Sequence, residues 1–306
     1  MEAVRIYEYG GPETLKYERD APEPALDPGS ILIAAVATSV NPIDWKIRSG
    51  ARQKDFPLDL PAILGKDVSG MVREVGRDVR GFKPGDRVIA MADATYAEYV
   101  AVPGALTAHL PDGVDLVDAA AIPLVALTGE QLIRLATQAT AGQTILVTGA
   151  LGSVGRAAVH VAQKLGAKVI AGVRARQVRE AEDLNAFMTV ALDDDAALAE
   201  LETVDGVADT VGGETAAKLF GKVRSGGRFG YASVLPDDVL AKYPHVHVSR
   251  VFARPDPTTL REFAEDIRDG KFALPISQRL PLREAAAAHE QLQRGGGGKV
   301  VLRIEG

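Results

Sequence analysis

The sequence predicts an α/β protein in which a compact, partly open β-barrel precedes a doubly wound parallel sheet. Three observations carry that prediction. Gln143 to Thr148 reads as a short apolar strand, and Arg156 to Leu165 as a helix with Ala157, Ala158, Val161 and Leu165 on one face. The turn between them, Gly149-Ala150-Leu151-Gly152-Ser153-Val154-Gly155, is glycine-rich, and a second strand from Lys168 to Gly172 follows at the distance a βαβ unit requires. About the first 120 residues carry short β-type runs divided by turn residues.

The barrel-like part contains runs at Ala3 to Tyr7, Ser30 to Val40, Val68 to Val75, Arg87 to Ala90 and Ala97 to Val102. Gly10-Gly11-Pro12, Asp27-Pro28-Gly29 and Lys83-Pro84-Gly85-Asp86 punctuate them. From Ala119 the pattern turns helical and then alternates: strand 143–148, helix 153–165, strand 168–172, helix 175–185, strand 206–210, helix 213–223 and strand 227–232. His247 to Ala253 reads as a further strand, Thr258 to Asp269 and Pro281 to Gln293 as amphipathic helices, and Lys299 to Ile304 as a closing strand. Gly295 to Gly298 is a low-complexity patch that fits a short turn.

A glycine turn between strand and helix lets backbone N–H groups approach a pyrophosphate at the helix N-terminus. Gly149, Ala150, Gly152, Ser153 and Val154 are therefore candidates for nucleotide binding. An acid about 20 residues past such a turn usually bonds the ribose 2′-hydroxyl of NAD. Here the corner reads Gly172-Val173-Arg174-Ala175-Arg176-Gln177, with no acid before Glu180. Arg174 and Arg176 can bind a 2′-phosphate through charge-assisted forked hydrogen bonds, although arginines at a helix start are also ordinarily just solvated. The missing acid and the two arginines together favour NADPH. Val211 and Gly212, past one strand end, and Ala232 and Ser233, past the next, fall where open α/β sheets bind ligands.

Bulk properties narrow the rest. A length of 306 residues suits two domains with their own cores, and 46% hydrophobic with 25% charged residues is ordinary globular composition. A net charge of −6 argues against a nucleic-acid partner and offers no basic membrane patch. Apolar runs are of strand length, and Met1-Glu2-Ala3-Val4-Arg5 opens into strand-like sequence without a signal-peptide core. With no cysteine there can be no disulfide or thiolate metal site, and a cytoplasmic location is expected.

Several further blocks stand in order: Asn41-Pro42-Ile43-Asp44-Trp45-Lys46, Leu64-Gly65-Lys66-Asp67-Val68-Ser69-Gly70, Phe82-Lys83-Pro84-Gly85-Asp86-Arg87-Val88, and Ala120-Ala121-Ile122-Pro123 with Leu127-Thr128. Asp209-Thr210-Val211-Gly212-Gly213, Gly226-Gly227-Arg228 and the closing Gly298-Lys299-Val300-Val301-Leu302 follow the glycine turn. Together these blocks resemble the medium-chain dehydrogenase/reductase superfamily, in its zinc-independent quinone oxidoreductase and alkenal (enone) reductase branch. The resemblance implies a GroES-like catalytic domain over 1–121, a Rossmann NADP-binding domain over 122–256, and a return to the catalytic domain over 257–306. It also implies a substrate pocket between the domains, lined by 41–52, 91–96 and 234–250. A homodimer is implied too, with edge pairing of the His247 strand as its physical rationale. A short-chain dehydrogenase is set aside because none of the seven tyrosines has a lysine four residues on.

In that family the 41–46 segment faces the nicotinamide. Asn41 is then a candidate donor to cofactor or substrate carbonyl, Lys46 a candidate donor to a developing oxyanion, and Asp44 a further catalytic candidate. Many relatives carry tyrosine at the Lys46 position. Asn-Pro-x-Asp is equally a good helix start, with Asn41 as N-cap and Asp44 in the first turn. Trp45, the single tryptophan, reads as a core anchor. Thr128 resembles a threonine beside the nicotinamide and can alternatively cap a helix from Gly129. Lys299 matches a cofactor-closing position and can alternatively be a surface lysine. Lys66 stands where the zinc-dependent branch has a histidine, and His245 and His247 read as edge or loop residues. Without a Lewis acid, alcohol oxidation is disfavoured and hydride donation from NADPH to a quinone or α,β-unsaturated carbonyl is expected. Enoyl-thioester reduction and an NADPH-binding structural or regulatory role remain as alternatives.

Overall fold

A computed structural model describes residues 1–295 and 298–305, so Gly296 and Gly297 of the glycine patch lie outside the described residues. The chain forms two compact units, Met1–Leu124 with Pro255–Gly306, and Val125–Arg254.

In the first unit a seven-stranded sheet runs in the order Ile276–Pro281, Lys299–Arg303, Ser30–Val40, Asp67–Val75, Arg87–Met91 and Thr107–His109, with Tyr99–Pro103 also on Ser30–Val40. The 11-residue strand Ser30–Val40 organises it. Its register against Asp67–Val75 shifts between Leu32 and Ile33 and again between Ala35 and Ala37. Such irregularities bend a strand. The first half pairs with Tyr99–Pro103 and the second with Lys299–Arg303, so one strand joins three others. Ile31, Ile33, Val68, Val72, Val88 and Val102 fill the interior behind it.

The second unit is a six-stranded parallel sheet in the order Met188–Ala191, Lys168–Val173, Thr144–Thr148, Val204–Asp209, Val223–Tyr231 and His247–Arg250. Numbered along the chain this is 3-2-1-4-5-6, the doubly wound order of dinucleotide-binding folds. Ile145, Leu146 and Val147 are all buried, as a strand covered on both faces requires. Helix Ser153–Lys164 buries Ala157, Ala158, Val161 and Ala162. A Cβ on Gly129 would come within 2.6 Å of the Ala157 Cβ, so glycine lets helix Pro123–Gln131 approach closely.

Three expectations need correction. The helix expected over 175–185 is two short 3₁₀ turns, Ala175–Gln177 and Glu180–Leu184. That stretch buries just Ala181 and Leu184, too narrow an apolar face to hold a longer helix, and Asn185 at φ 49° ends it. The helix expected from Pro281 begins at Ala285, because Pro281 closes a strand and one 3₁₀ turn intervenes. Strands Met188–Ala191 and Ile276–Pro281 and helix Asp195–Glu200 were not anticipated. Both strands lie at sheet edges and bury one residue each, so their apolar signal is weak. No helix among the described residues is long and apolar enough to cross a membrane.

Candidate active site

The first unit gathers a buried polar cluster around helix Pro42–Arg48. Asn41 is extended (φ −123°, ψ 155°), Pro42 supplies the preset φ of the first helical position, and the Asp44 carboxylate accepts the Asn41 backbone N–H at 2.7 Å. Asn41 itself is 1% exposed, and its side-chain amide is engaged within the unit. Nδ2 donates to Asp67 Oδ2 at 2.7 Å, and Oδ1 accepts from the Lys299 ammonium. Asp67 is the hub. Its carboxylate also accepts the Ser39 hydroxyl, the Leu124 N–H at 2.6 Å and Lys299 Nζ at 3.4 Å. Lys299 is 4% exposed, which corrects the surface-lysine alternative. Its ammonium is committed to Asn41 and Asp67.

A second chain of bonds leads away from Asp44. Its Oδ2 accepts the Tyr96 hydroxyl at 3.1 Å, Tyr96 Oη lies 3.0 Å from His289 Nε2, and His289 Nδ1 lies 3.1 Å from an Arg48 terminal nitrogen. Arginine can only donate, so His289 Nδ1 accepts and the neutral ring carries its proton on Nε2. The direction then follows: Arg48 donates to His289, His289 to Tyr96, and Tyr96 to Asp44. Burial, reinforced by the Arg48 charge, pushes His289 down to about 3, which keeps the ring neutral. Burial also holds the Tyr96 hydroxyl well above its usual range, with Asp44 adding to the shift. Asp44 is pushed up to about 7, chiefly by burial and secondarily by the Asp67 charge, against the Asn41 N–H, Lys299 and Tyr96. Its Oδ1 has no hydrogen-bond partner.

Beside this cluster is a cavity of about 280 Å³, with Asp44, Phe56, Leu58, Leu64, Lys66 and Asp93 among its walls. Lys66 pairs with Asp93 and lies 5.1 Å from the Phe56 ring centroid. Lys46 is half-buried and lies 5.6 Å from the Trp45 ring, and it is not part of the cavity wall. Trp45 is half-buried rather than a core anchor.

In the second unit, Gly149 turns the chain at φ 59°, and Gly152 precedes helix Ser153–Lys164 in an extended conformation with no side-chain cap. The first-turn N–H groups of that helix carry its positive end, and the Gly152 cap offers them no side-chain acceptor. Gly155 packs on the turn so tightly that a Cβ would overlap the Gly149 carbonyl oxygen and approach Ala150 Cα within 2.8 Å. The Ala150 N–H donates to the Gly172 carbonyl at 3.1 Å, tying the turn to the next strand. Across the switch point, buried Asp209 accepts Thr148 Oγ1 at 2.7 Å, the Val211 and Gly212 N–H groups at 3.2 and 3.1 Å, and Ser233 Oγ at 2.6 Å. Asp209 thus ties three strand ends together, and the Ser233 hydroxyl donates to it. Val211 and Ala232 stay exposed at the strand ends. Thr128 lies inside helix Pro123–Gln131 and is 8% exposed, so it caps no helix from Gly129.

Arg174 and Arg176 are exposed at the corner after strand Lys168–Val173. The sequence has no acid there, but the fold brings one: Asp193, past strand Met188–Ala191, accepts the Ala175 N–H at 2.7 Å. Sequence reasoning missed Asp67, Tyr96, His289, Arg48, Asp193 and the role of Asp209. For Arg48, Asp67, Asp209 and His289 the local signal was a polar residue inside a strand or helix, whereas Tyr96 and Asp193 lie outside both.

A model described as the alcohol dehydrogenase GroES-like domain matches residues 27–112, and one described as a zinc-binding dehydrogenase matches residues 186–302. The zinc named in that second description does not fit these residues. The chain has no cysteine, a lysine ammonium has no lone pair to offer at position 66, and no group of three or more His, Asp or Glu able to hold a metal occurs among the described residues. A quinone oxidoreductase of Pseudomonas aeruginosa is 33% identical over 325 residues, covering 98% of this chain and 98% of the relative. The solved quinone oxidoreductase of Coxiella burnetii superposes with a TM-score of 0.90 at 28% identity, covering 100% of this chain and 99% of the other. The Escherichia coli quinone oxidoreductase solved with NADPH gives 0.87 at 26% identity, covering 99% and 100%. Full-length similarity at this level, on top of the 3-2-1-4-5-6 sheet and the bent Ser30–Val40 strand, means that the chain belongs to the medium-chain dehydrogenase/reductase superfamily of oxidoreductases, among its quinone oxidoreductases.

Proposed function

We propose that this oxidoreductase uses NADPH to reduce a quinone or an α,β-unsaturated carbonyl without zinc. The observation that carries the cofactor reading is the uncapped N-terminus of helix Ser153–Lys164 behind a positive-φ glycine at the switch point of the sheet. Ser153 and Val154 would offer backbone N–H groups to the pyrophosphate, and Arg174 and Arg176 would take the 2′-phosphate. Gly172, Val211, Gly212 and Ala232 would line the strand ends beside it. When bound, NADPH supplies a hydride. The NADPH complex of the Escherichia coli relative supports this reading. On the acceptor side, a donor set without thiolate or clustered imidazole favours substrates that are already electron-poor, because no metal ligand set to acidify an alcohol occurs among the described residues. A homodimer joined through the edge strand His247–Arg250 belongs to the same proposal, and sedimentation at twice the chain mass is the expected result.

The test is nicotinamide oxidation followed with a planar quinone, a short 2-alkenal and no acceptor. Turnover preferring NADPH over NADH is expected. Arg174→Ala with Arg176→Ala should raise the KM for NADPH by more than about 100-fold, each charge-assisted contact contributing about 1.5–3 kcal/mol, and should leave NADH almost unchanged. A wild-type preference for NADH that disappears in Asp193→Ala would instead make Asp193 the reader of the ribose and overturn the NADPH assignment. Reduction of acyl-thioesters with no activity on free enones or quinones would overturn the acceptor class.

A further inference from the structure

We propose that Asp44 donates the proton that completes the reduction, and that Tyr96, backed by His289 and Arg48, is the residue that positions it; this rests on the reductase reading above. The geometry carries the argument. Asp44 is 1% exposed and lines the cavity, and two donors hold its Oδ2, the Asn41 N–H and the Tyr96 hydroxyl. Its Oδ1 is the one buried side-chain polar atom without a partner among the described residues, so that oxygen is left to carry the proton. The donor direction fixed at Arg48 leaves Tyr96 no alternative role: its hydroxyl receives from His289 and gives to Asp44. Lys46 stacks by Trp45, and Asn41 and Lys299 are bonded to each other and to Asp67, so Asp44 is the cavity-lining residue of this segment that has an unpartnered carboxylate oxygen.

The step balances with NADPH as reductant. The acceptor gains a hydride, its carbonyl oxygen takes the displaced electron pair, an O–H bond forms there as the Asp44 O–H bond breaks, and the carboxylate recovers a proton from water. Charged and titratable groups around Asp44 act in both directions. Asp67 disfavours its anion, Lys299 and the Tyr96 hydroxyl favour it, and Asp55, Lys66 and Asp93 share the cavity wall.

Two measurements test this. In the cofactor-free protein, an infrared titration should show a protonated carboxyl band that is lost through about pH 7, absent in Asp44→Asn, and displaced to higher pH in Tyr96→Phe, which removes a donor to the carboxylate. With NADPH saturating and a 2-alkenal as acceptor, wild-type kcat should fall as pH rises through the same range. Asp44→Asn should lower kcat about 100-fold or more and lose that pH limb, with KM for NADPH unchanged. Tyr96→Phe should move the limb upward, which a merely structural tyrosine would not do; it also serves if Asp44→Asn does not fold. Wild-type kcat and limb in Asp44→Asn would overturn the donor role alone, and an unmoved midpoint in Tyr96→Phe would overturn the positioning role. No turnover by the wild type at any pH would overturn the reductase reading and the donor role with it.

Discussion

Asp67→Ala is expected to lower the melting temperature of the protein by on the order of 10 °C, the larger of the stability effects anticipated here. The carboxylate has 0% exposure and takes hydrogen bonds from Ser39, Asn41, the Leu124 N–H and Lys299. Its removal leaves an ammonium 4% exposed with Asn41 Oδ1 as its remaining acceptor, and three further donors short of a partner. Breaking a buried pair from one side costs about 3–5 kcal/mol, a large part of the roughly 5–15 kcal/mol that stabilises a domain. The damage should be structural as well as local, because Lys299 lies on the closing strand and Asp67 on its second neighbour in the sheet. Removing the charge as well, in Asp67→Ala with Lys299→Met, should recover part of the loss. Differential scanning calorimetry of the three proteins decides it. A single variant melting within about 2 °C of wild type would mean that the hub does not hold the unit together.

Gly155→Val is expected to weaken NADPH binding by about 100-fold or more, the equivalent of losing about two charge-assisted contacts. A side chain there meets backbone, the Gly149 carbonyl and Ala150 Cα, and backbone cannot step aside as a flexible side chain does. The turn must shift and carry the Ser153 and Val154 N–H groups with it. Gly152→Ala is the informative companion. A Cβ there meets just the Gly149 carbonyl oxygen, at 3.2 Å, so the protein should melt normally while affinity falls through the crowded approach to the helix end. Nucleotide fluorescence titration against thermal unfolding separates the two effects. Wild-type affinity in Gly155→Val would place the nucleotide site elsewhere.

The glycine turn and the strand Ser30–Val40 were readable from sequence because their signals are local. Apolar runs of strand length and glycines at fixed offsets state the strand–turn–helix unit within about a dozen residues of one another. The 3₁₀ turns after strand Lys168–Val173 were not, since the arginines and glutamates there have helical propensity and just two residues reach the core. The candidate site divides in the same way. Asn41, Asp44 and Lys299 were singled out individually, but Asn41 and Lys299 are 258 positions apart, Arg48 and His289 are 241, and Tyr96 and His289 are 193. No periodicity links residues at such separations.

By itself the sequence determined the two kinds of sheet, the nucleotide-type turn, the family, and the absence of a thiolate donor, because each is written in residue type, short-range period or composition. The tertiary structure alone decided which oxygen of Asp44 is free, which way the protons point along Arg48, His289 and Tyr96, and that an acid from a later strand reaches the Arg174 corner. Hydrogen-bond direction and burial depend on which distant side chains share a small volume away from water, and that is settled by packing across the chain.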